Sequence, residues 1–347
     1  MMIERSGEFA GLATSALWVV SSLAFAAAGR RMGATRLNLL RSLLAAALLL
    51  VLHAFLKGNP WPTIGADRTW YLAISGLLGL AIGDQFLFAG YVLVGARTTT
   101  LLMTLAPAVA ASLSWIVFGQ AMMLQAIVGM IITLLGVLWV AAERPHATSL
   151  ITPAQQIKGI WFGAAAALCQ GVGMVLASNG LRGDIDAMSA QTVRMSAGAV
   201  GIIVIAFVVS RMARATRNAE ATFTNINSTA SNTASSNDTA TNGLSLVATK
   251  IKPLHAMPAD GSSSKAIVAM VIGTFTGPIL GVWCSLLALQ KLEVGIATTL
   301  MSLVPVMILP VTRITEGRWP STRAILGALI AVAGVAVLAT APHAAIP

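Results

Sequence analysis

Ten apolar stretches run along the chain, each about as long as the roughly 20-residue helix needed to cross a hydrocarbon core of about 30 Å. They fall near 8–28, 37–56, 70–93, 98–118, 124–142, 158–179, 187–210, 265–289, 294–312 and 323–342. Polar positions within them are too sparse to form the solvated face of a soluble helix. The pattern therefore predicts an all-α, polytopic integral membrane protein of about ten transmembrane helices. Most connections are short and carry turn chemistry, such as Gly58-Asn59-Pro60 and Arg182-Gly183-Asp184. The first stretch ends in Ala26-Ala27-Ala28, a possible signal-peptidase site. That reading is rejected because the repeat described next needs this helix as the partner of the sixth. Residues 211–264 break the pattern. Runs such as Asn225-Ile226-Asn227-Ser228-Thr229 lack the apolar content for a core, so a disordered polar insert with basic flanks is expected there.

The apolar stretches repeat. At an offset of 198 residues, Thr100, Leu102, Met103 and Pro107 fall on Thr298, Leu300, Met301 and Pro305. In the same unbroken register Gly119, Gly129 and Gly136 fall on Gly317, Gly327 and Gly334, and Gly79 and Gly83 fall on Gly277 and Gly281. Chance likeness between Leu- and Ala-rich helices does not produce coincident Pro and Gly. Earlier in each half the match is looser, with Arg41 and Arg194 in similar places at an offset of 153. The expected units are 1–145 and 146–347, five helices each, the second carrying the insert. Five is odd, so the second unit enters the bilayer from the opposite face. Inverted repeats let a central site open to one side and then the other as the halves rock.

The residues that carry this repeat also carry a resemblance. Leu17-Trp18 in the first helix, Arg41 in the second, Gly83-Asp84 in the third, and the endings Leu105-Ala106-Pro107 to Gly119 and Leu303-Val304-Pro305 to Gly317 resemble the EamA-type members of the drug/metabolite transporter superfamily. The resemblance spans nearly the whole chain outside 211–264. It implies a basket of ten helices around a central cavity, usually exporting amino acids or similar metabolites across a bacterial plasma membrane. The chain departs from the family where a fourth helix often ends in Gly-Glu. Here Gly119-Gln120 and Gly317-Arg318 stand instead, with Glu316 before the glycine.

Composition adds the chemistry. Charged residues make up only 10% of the 347, against roughly 25% in soluble domains. Asp84 is the one acidic residue near the middle of a predicted helix, where a carboxylate must be paired, protonated or facing water. It is read as a substrate or proton site, or as an ion pair locking helices together. Arg41 and Arg194 either snorkel to the interface, pair with Asp84, or hold a carboxylate with a fork of donors. Pro107 and Pro305 are expected to kink their helices in mid-course, and Thr104 and Ser302, near them, to offer hydroxyls. Trp18, Gln85, Tyr91, Trp115, Gln170 and Trp283 complete the candidate lining.

The net charge of +10 sits in loops beside the apolar stretches, as the positive-inside bias dictates, so nucleic acid is not an expected partner. By that bias the termini lie outside; by the resemblance they lie in the cytoplasm. Cys169 and Cys284 form no metal-ligand spacing, and no phosphate-binding Gly-Lys loop for ATP is present. No cofactor is expected. The expected partners are a small-molecule substrate, the lipid bilayer and a coupling ion, proton or sodium. A secondary carrier is the first reading of function; a channel, or a membrane-embedded enzyme or scaffold, is the alternative.

Overall fold

The computed structural model describes residues 6–141, 152–234, 264–301 and 321–339, with a few positions between 303 and 311, and omits 104, 120–122 and 184. Every regular element among these residues is helical. In the first half the helices are α1 (Ser6–Met32), α2 (Ala34–Lys57), α3 (Ala66–Gly76), α4 (Asp84–Met103), α5 (Ala106–Phe118) and α6 (Leu124–Ala141). The second half follows with α7 (Pro153–Gly180), α8 (Ala187–Ala234), α9 (Ser264–Thr274), α10 (Val282–Lys291), α11 (Val294–Met301) and α12 (Thr322–Ala339). Among the described residues, six helical stretches are long and apolar enough to cross a membrane, and three shorter apolar helices accompany them.

Burial runs opposite to that of a soluble domain. Phe55 is 86% exposed and Leu124 76%, whereas Arg41 and Arg194 are the largest fully buried side chains. Large apolar groups on the outside and polar groups within fit a lipid solvent, which rewards no apolar burial between helices.

The duplicated register is visible in the backbone. A π-helical turn joins α3 to α4 at Leu77–Gly83, and another joins α9 to α10 at Phe275–Gly281, 198 residues on. A side chain from α2 or α8 donates to a carbonyl of each widened turn. Asn38 Nδ2 donates to the Ala81 carbonyl at 3.3 Å, and Gln191 Nε2 donates to that of Pro278 at 2.8 Å. The first helix of each half packs into the other half. Ser21 donates to the Gly273 carbonyl at 2.9 Å; in the related position Ser75 donates to that of Gly173 at 2.6 Å.

Equivalent helices meet antiparallel. A side chain on Gly136 of α6 would overlap backbone at Gly327 and Ala331 of α12, and one on Gly334 would overlap backbone at Gly129 and Thr133. The C-terminal end of α2 likewise adjoins the N-terminal end of α8, where His53 Nε2 lies 3.0 Å from Ser189 Oγ. The two repeats are therefore inverted, and both contacts straddle the axis that relates them.

Two local expectations change. The polar stretch after residue 210 does not begin as a loop: α8 continues as helix to Ala234. Its first extramembrane turns, Arg211-Met212-Ala213-Arg214-Ala215, are made of strong helix formers, and local propensity carries the helix beyond its apolar span. Residues 235–263 of the expected insert lie outside the described residues. Pro107, expected in mid-course of its helix, lies in the first turn of α5, where its missing N–H costs nothing. α4 is broken at Gly95, whose φ of 83° is left-handed.

Candidate functional site

A cavity of about 110 Å³ lies between the halves. Its lining repeats like the backbone: Trp18 opposes Gln170, Ser22 Met174, Leu87 Ser285, Thr100 Thr298 and Met103 Met301, each pair occupying equivalent places in the two repeats. The cavity thus sits on the axis of inversion. Threonine and methionine are kept on both sides, while other pairs have diverged, so one wall is chemically unlike the other. Asp84 and Tyr91 line only the first-half wall; the corresponding positions hold Val282 and Leu289.

Asp84 opens α4 directly after the π-turn, 3% exposed. Arg41 of α2 reaches it with Nη2, forming a buried ion pair. The same guanidinium donates to Asn38 Oδ1 from Nε at 3.1 Å and from Nη2 at 2.9 Å. Nη2 also donates to the Leu80 carbonyl in the π-turn, at 3.3 Å. Aromatic faces complete the setting, with the Arg41 carbon 4.9 Å from the Phe88 ring centre and 5.6 Å from that of Phe25. Arginine suits such a place because its planar fork can bond several acceptors while its faces stack.

Arg194, the α8 counterpart of Arg41, is 1% exposed and within electrostatic reach of the same carboxylate. Its Nε and Nη1 have no hydrogen-bond partner among the described residues. Two arginines therefore share one carboxylate in the protein interior, leaving an excess positive charge beside the cavity.

Of the residues expected from sequence, Asp84, Trp18, Tyr91, Gln170 and Pro107 line the cavity, and Arg41 and Arg194 stand behind its first-half wall. Gln85 does not join them; its Nε2 donates to Thr35 Oγ1 at 2.8 Å. Helical periodicity explains this, since the residue after Asp84 points about 100° away from it. Trp283 is 43% exposed and is not part of the lining, and Trp115 is 63% exposed. Both fit apolar or interfacial lipid contacts. Thr104, Ser302 and Pro305 lie outside the described residues. Thr14, Ser22, Ser285 and the Thr100–Thr298 and Met103–Met301 pairs were not among the candidates. The last two pairs carried a usable signal, because identical residues recur in the duplicated register.

With this geometry in place, comparison with known proteins decides the family. The profile of the EamA-like transporter family matches residues 5–142 and again 221–340. The chain belongs to the EamA-like transporter family. It is accordingly a multi-pass membrane transporter of the drug/metabolite transporter superfamily, built on two repeats. No curated protein matches this EamA-like transporter. A solved structure, titled only "Crystal structure of protein", is similar with a TM-score of 0.64 at 16% identity. The alignment covers 96% of each chain, and the likeness is one of fold.

Proposed function

We propose that this EamA-like protein is a secondary transporter that exports a small metabolite, such as an amino acid, across a bacterial plasma membrane by alternating access at the central cavity. One observation carries the reading: the cavity lies on the inversion axis and is walled by equivalent residues of both repeats. A rocking motion that exchanges the conformations of the halves would then expose the same lining to each side in turn. The cavity volume of about 110 Å³ is below the ~300–1,000 Å³ of most ligand pockets, as suits a contracted state that must widen to load. The break at Gly95 gives α4 a place to bend.

In this reading Asp84, Tyr91, Trp18, Gln170, Thr100 and Thr298 contact substrate, and Arg41 positions Asp84. A proton or sodium ion is the proposed coupling ion, with Asp84 as its site. The test begins with cells overexpressing the protein, screened for resistance to toxic amino acids and metabolites. The compound so identified is then followed in liposomes. Saturable counterflow of labelled substrate is expected of a carrier; flux that never saturates and shows no counterflow would assign a channel instead.

A further inference from the structure

Two hydroxyl groups on the α1 and α10 side of the cavity are set to accept hydrogen bonds from a ligand and not to donate them. Thr14 and Ser285 both line the cavity. Thr14 Oγ1 donates to the Ala10 carbonyl at 2.8 Å, and Ser285 Oγ donates to that of Val282 at 2.7 Å. A hydroxyl has one proton to give and two lone pairs to offer. Each proton is held by the residue's own helix, as is common for serine and threonine in membrane spans. What remains on both oxygens is acceptor capacity.

The two hydroxyls meet at Gly281. Thr14 Oγ1 lies 3.4 Å from the Gly281 carbonyl oxygen, and Ser285 follows Gly281 by about one helical turn. Trp18, one turn beyond Thr14 on α1, also lines the cavity. The edge of its indole that carries the N–H lies near Gly281, where a Cβ would stand 3.3 Å from Trp18 Nε1. Two accepting oxygens and an aromatic ring therefore converge on one place. Such a set matches a cation that carries N–H groups, because oxygen lone pairs take the protons and the π system attracts the charge. An anion would meet lone pairs with no proton between. The equivalent place in the other repeat lacks the set, since Ala166 and Leu87 stand where Thr14 and Ser285 stand here. The surplus charge of the buried arginines lies behind that other wall, which favours a cation on this one.

We infer that Thr14, Trp18 and Ser285 form a subsite for a compact cation, the primary ammonium group of the transported substrate. The inference rests on the transport reading, because it takes the cavity as the substrate site. It narrows the substrate to a small amine or amino acid whose body packs against Met103, Met174 and Met301, side chains flexible enough to fit varied apolar groups. A dehydrated sodium ion meets the same oxygen chemistry, and the ligand series below separates the two sources.

Thermal unfolding of the purified full-length protein tests this, with propylammonium, sodium or propanol titrated in turn. Tetraethylammonium, bulky and without N–H, holds the ionic strength constant. Propylammonium is expected to raise the unfolding temperature saturably, and propanol, of the same length but uncharged, to have no such effect. Thr14→Val keeps the shape of the side chain and removes its oxygen. It should weaken apparent affinity about tenfold, the loss of roughly one charge-assisted hydrogen bond. Ser285→Ala should do the same, whereas Thr14→Ser, which keeps the oxygen, should retain most of the wild-type affinity. If one oxygen-deleting variant does not fold, the other carries the comparison, and the ligand series on the wild type stands without either. A response to propylammonium that sodium does not reproduce supports the ammonium assignment; an equal response to sodium overturns it in favour of a coupling cation. An equal response to propanol, an unchanged propylammonium response in Thr14→Val and Ser285→Ala, or no response in the wild type overturns the subsite. Ammonium binding without counterflow in liposomes would sink the transport reading and keep the subsite; counterflow without ammonium binding would do the reverse.

Discussion

Arg41 and Arg194 occupy equivalent positions in the two inverted repeats, yet only Arg41 bonds Asp84. An inverted pair of repeats would be expected to carry two such ion pairs; among the described residues there is a single buried carboxylate, placed in the first half. The symmetry of the backbone therefore supports an asymmetric charge cluster, and the cavity wall next to it inherits that asymmetry.

Removing the carboxylate leaves two buried cations. Asp84→Asn should destabilise the protein by about 3–5 kcal/mol, the usual cost of breaking a buried pair from one side, and should abolish transport. The double variant Arg41→Gln with Asp84→Asn should regain much of the thermal stability without regaining transport. Unfolding temperatures and liposome counterflow measure the two effects separately. Normal counterflow in Asp84→Asn would remove this residue from the mechanism.

The seam between α6 and α12 depends on backbone contact at Gly136 and Gly334. Adding a methyl group there forces the helices apart, at a cost of about 1–3 kcal/mol for overpacking. Gly136→Ala and Gly334→Ala should lower the unfolding temperature by similar amounts, because they are equivalent across the axis. A large effect in one and none in the other would argue against a symmetric seam.

The inversion itself predicts labelling. The ends of α2 and α8 that carry Lys57 and Asp186 adjoin each other, which puts the loops around Asn59 and Arg182 on one side of the membrane. Single cysteines at those two positions should react with an impermeant reagent from the same face. Cysteines replacing Arg97 and Gly295 should react from opposite faces. Labelling of the last two from one face would overturn the antiparallel arrangement.

That same loop end has a pH-dependent component. Burial opposes ionisation of Asp186, but hydrogen bonds from Ser189 Oγ at 2.7 Å and Ser189 N at 3.1 Å, with Lys57 at 3.3 Å, outweigh it. They hold the carboxyl below its ordinary 3.8. A carboxyl whose folded value is depressed stabilises the fold above its unfolded value and loses that contribution as pH falls through the folded one. Asp186→Asn should therefore lower the unfolding temperature at neutral pH, modestly because the pair is half-exposed and screened. The difference from wild type should shrink as pH drops below about 4. A difference that stays constant with pH would show that Asp186 acts without its charge.

Much of the architecture was legible in the residues. Apolar length fixed the membrane-crossing helices, because lipid demands that each span satisfy its own backbone. Coincident Pro and Gly at an offset of 198 fixed the duplication, and the odd count of spans fixed the inversion, since a chain cannot change faces without another crossing. The same reading singled out Asp84 as an acid within a span, where a charge has few tolerable surroundings, but left Arg41 and Arg194 open between the interface and the interior, where they are buried. It did not tell Gln85 from Gln170, or Trp18 from Trp283. Which way a side chain faces in a helix that is apolar on all sides is set by its neighbours, not by its own periodicity. The π-turns at 77–83 and 275–281 were also beyond the sequence pattern, because they are met by side chains from α2 and α8 that only the tertiary structure brings there. The sequence determined that the chain is an all-helical, multi-pass membrane protein built on a duplicated register, because apolar length and coincident Pro and Gly are local properties of the residues. Only tertiary packing decided that Arg41, and not Arg194, holds Asp84, since that choice rests on a contact between elements 43 residues apart and on the asymmetry of the two cavity walls.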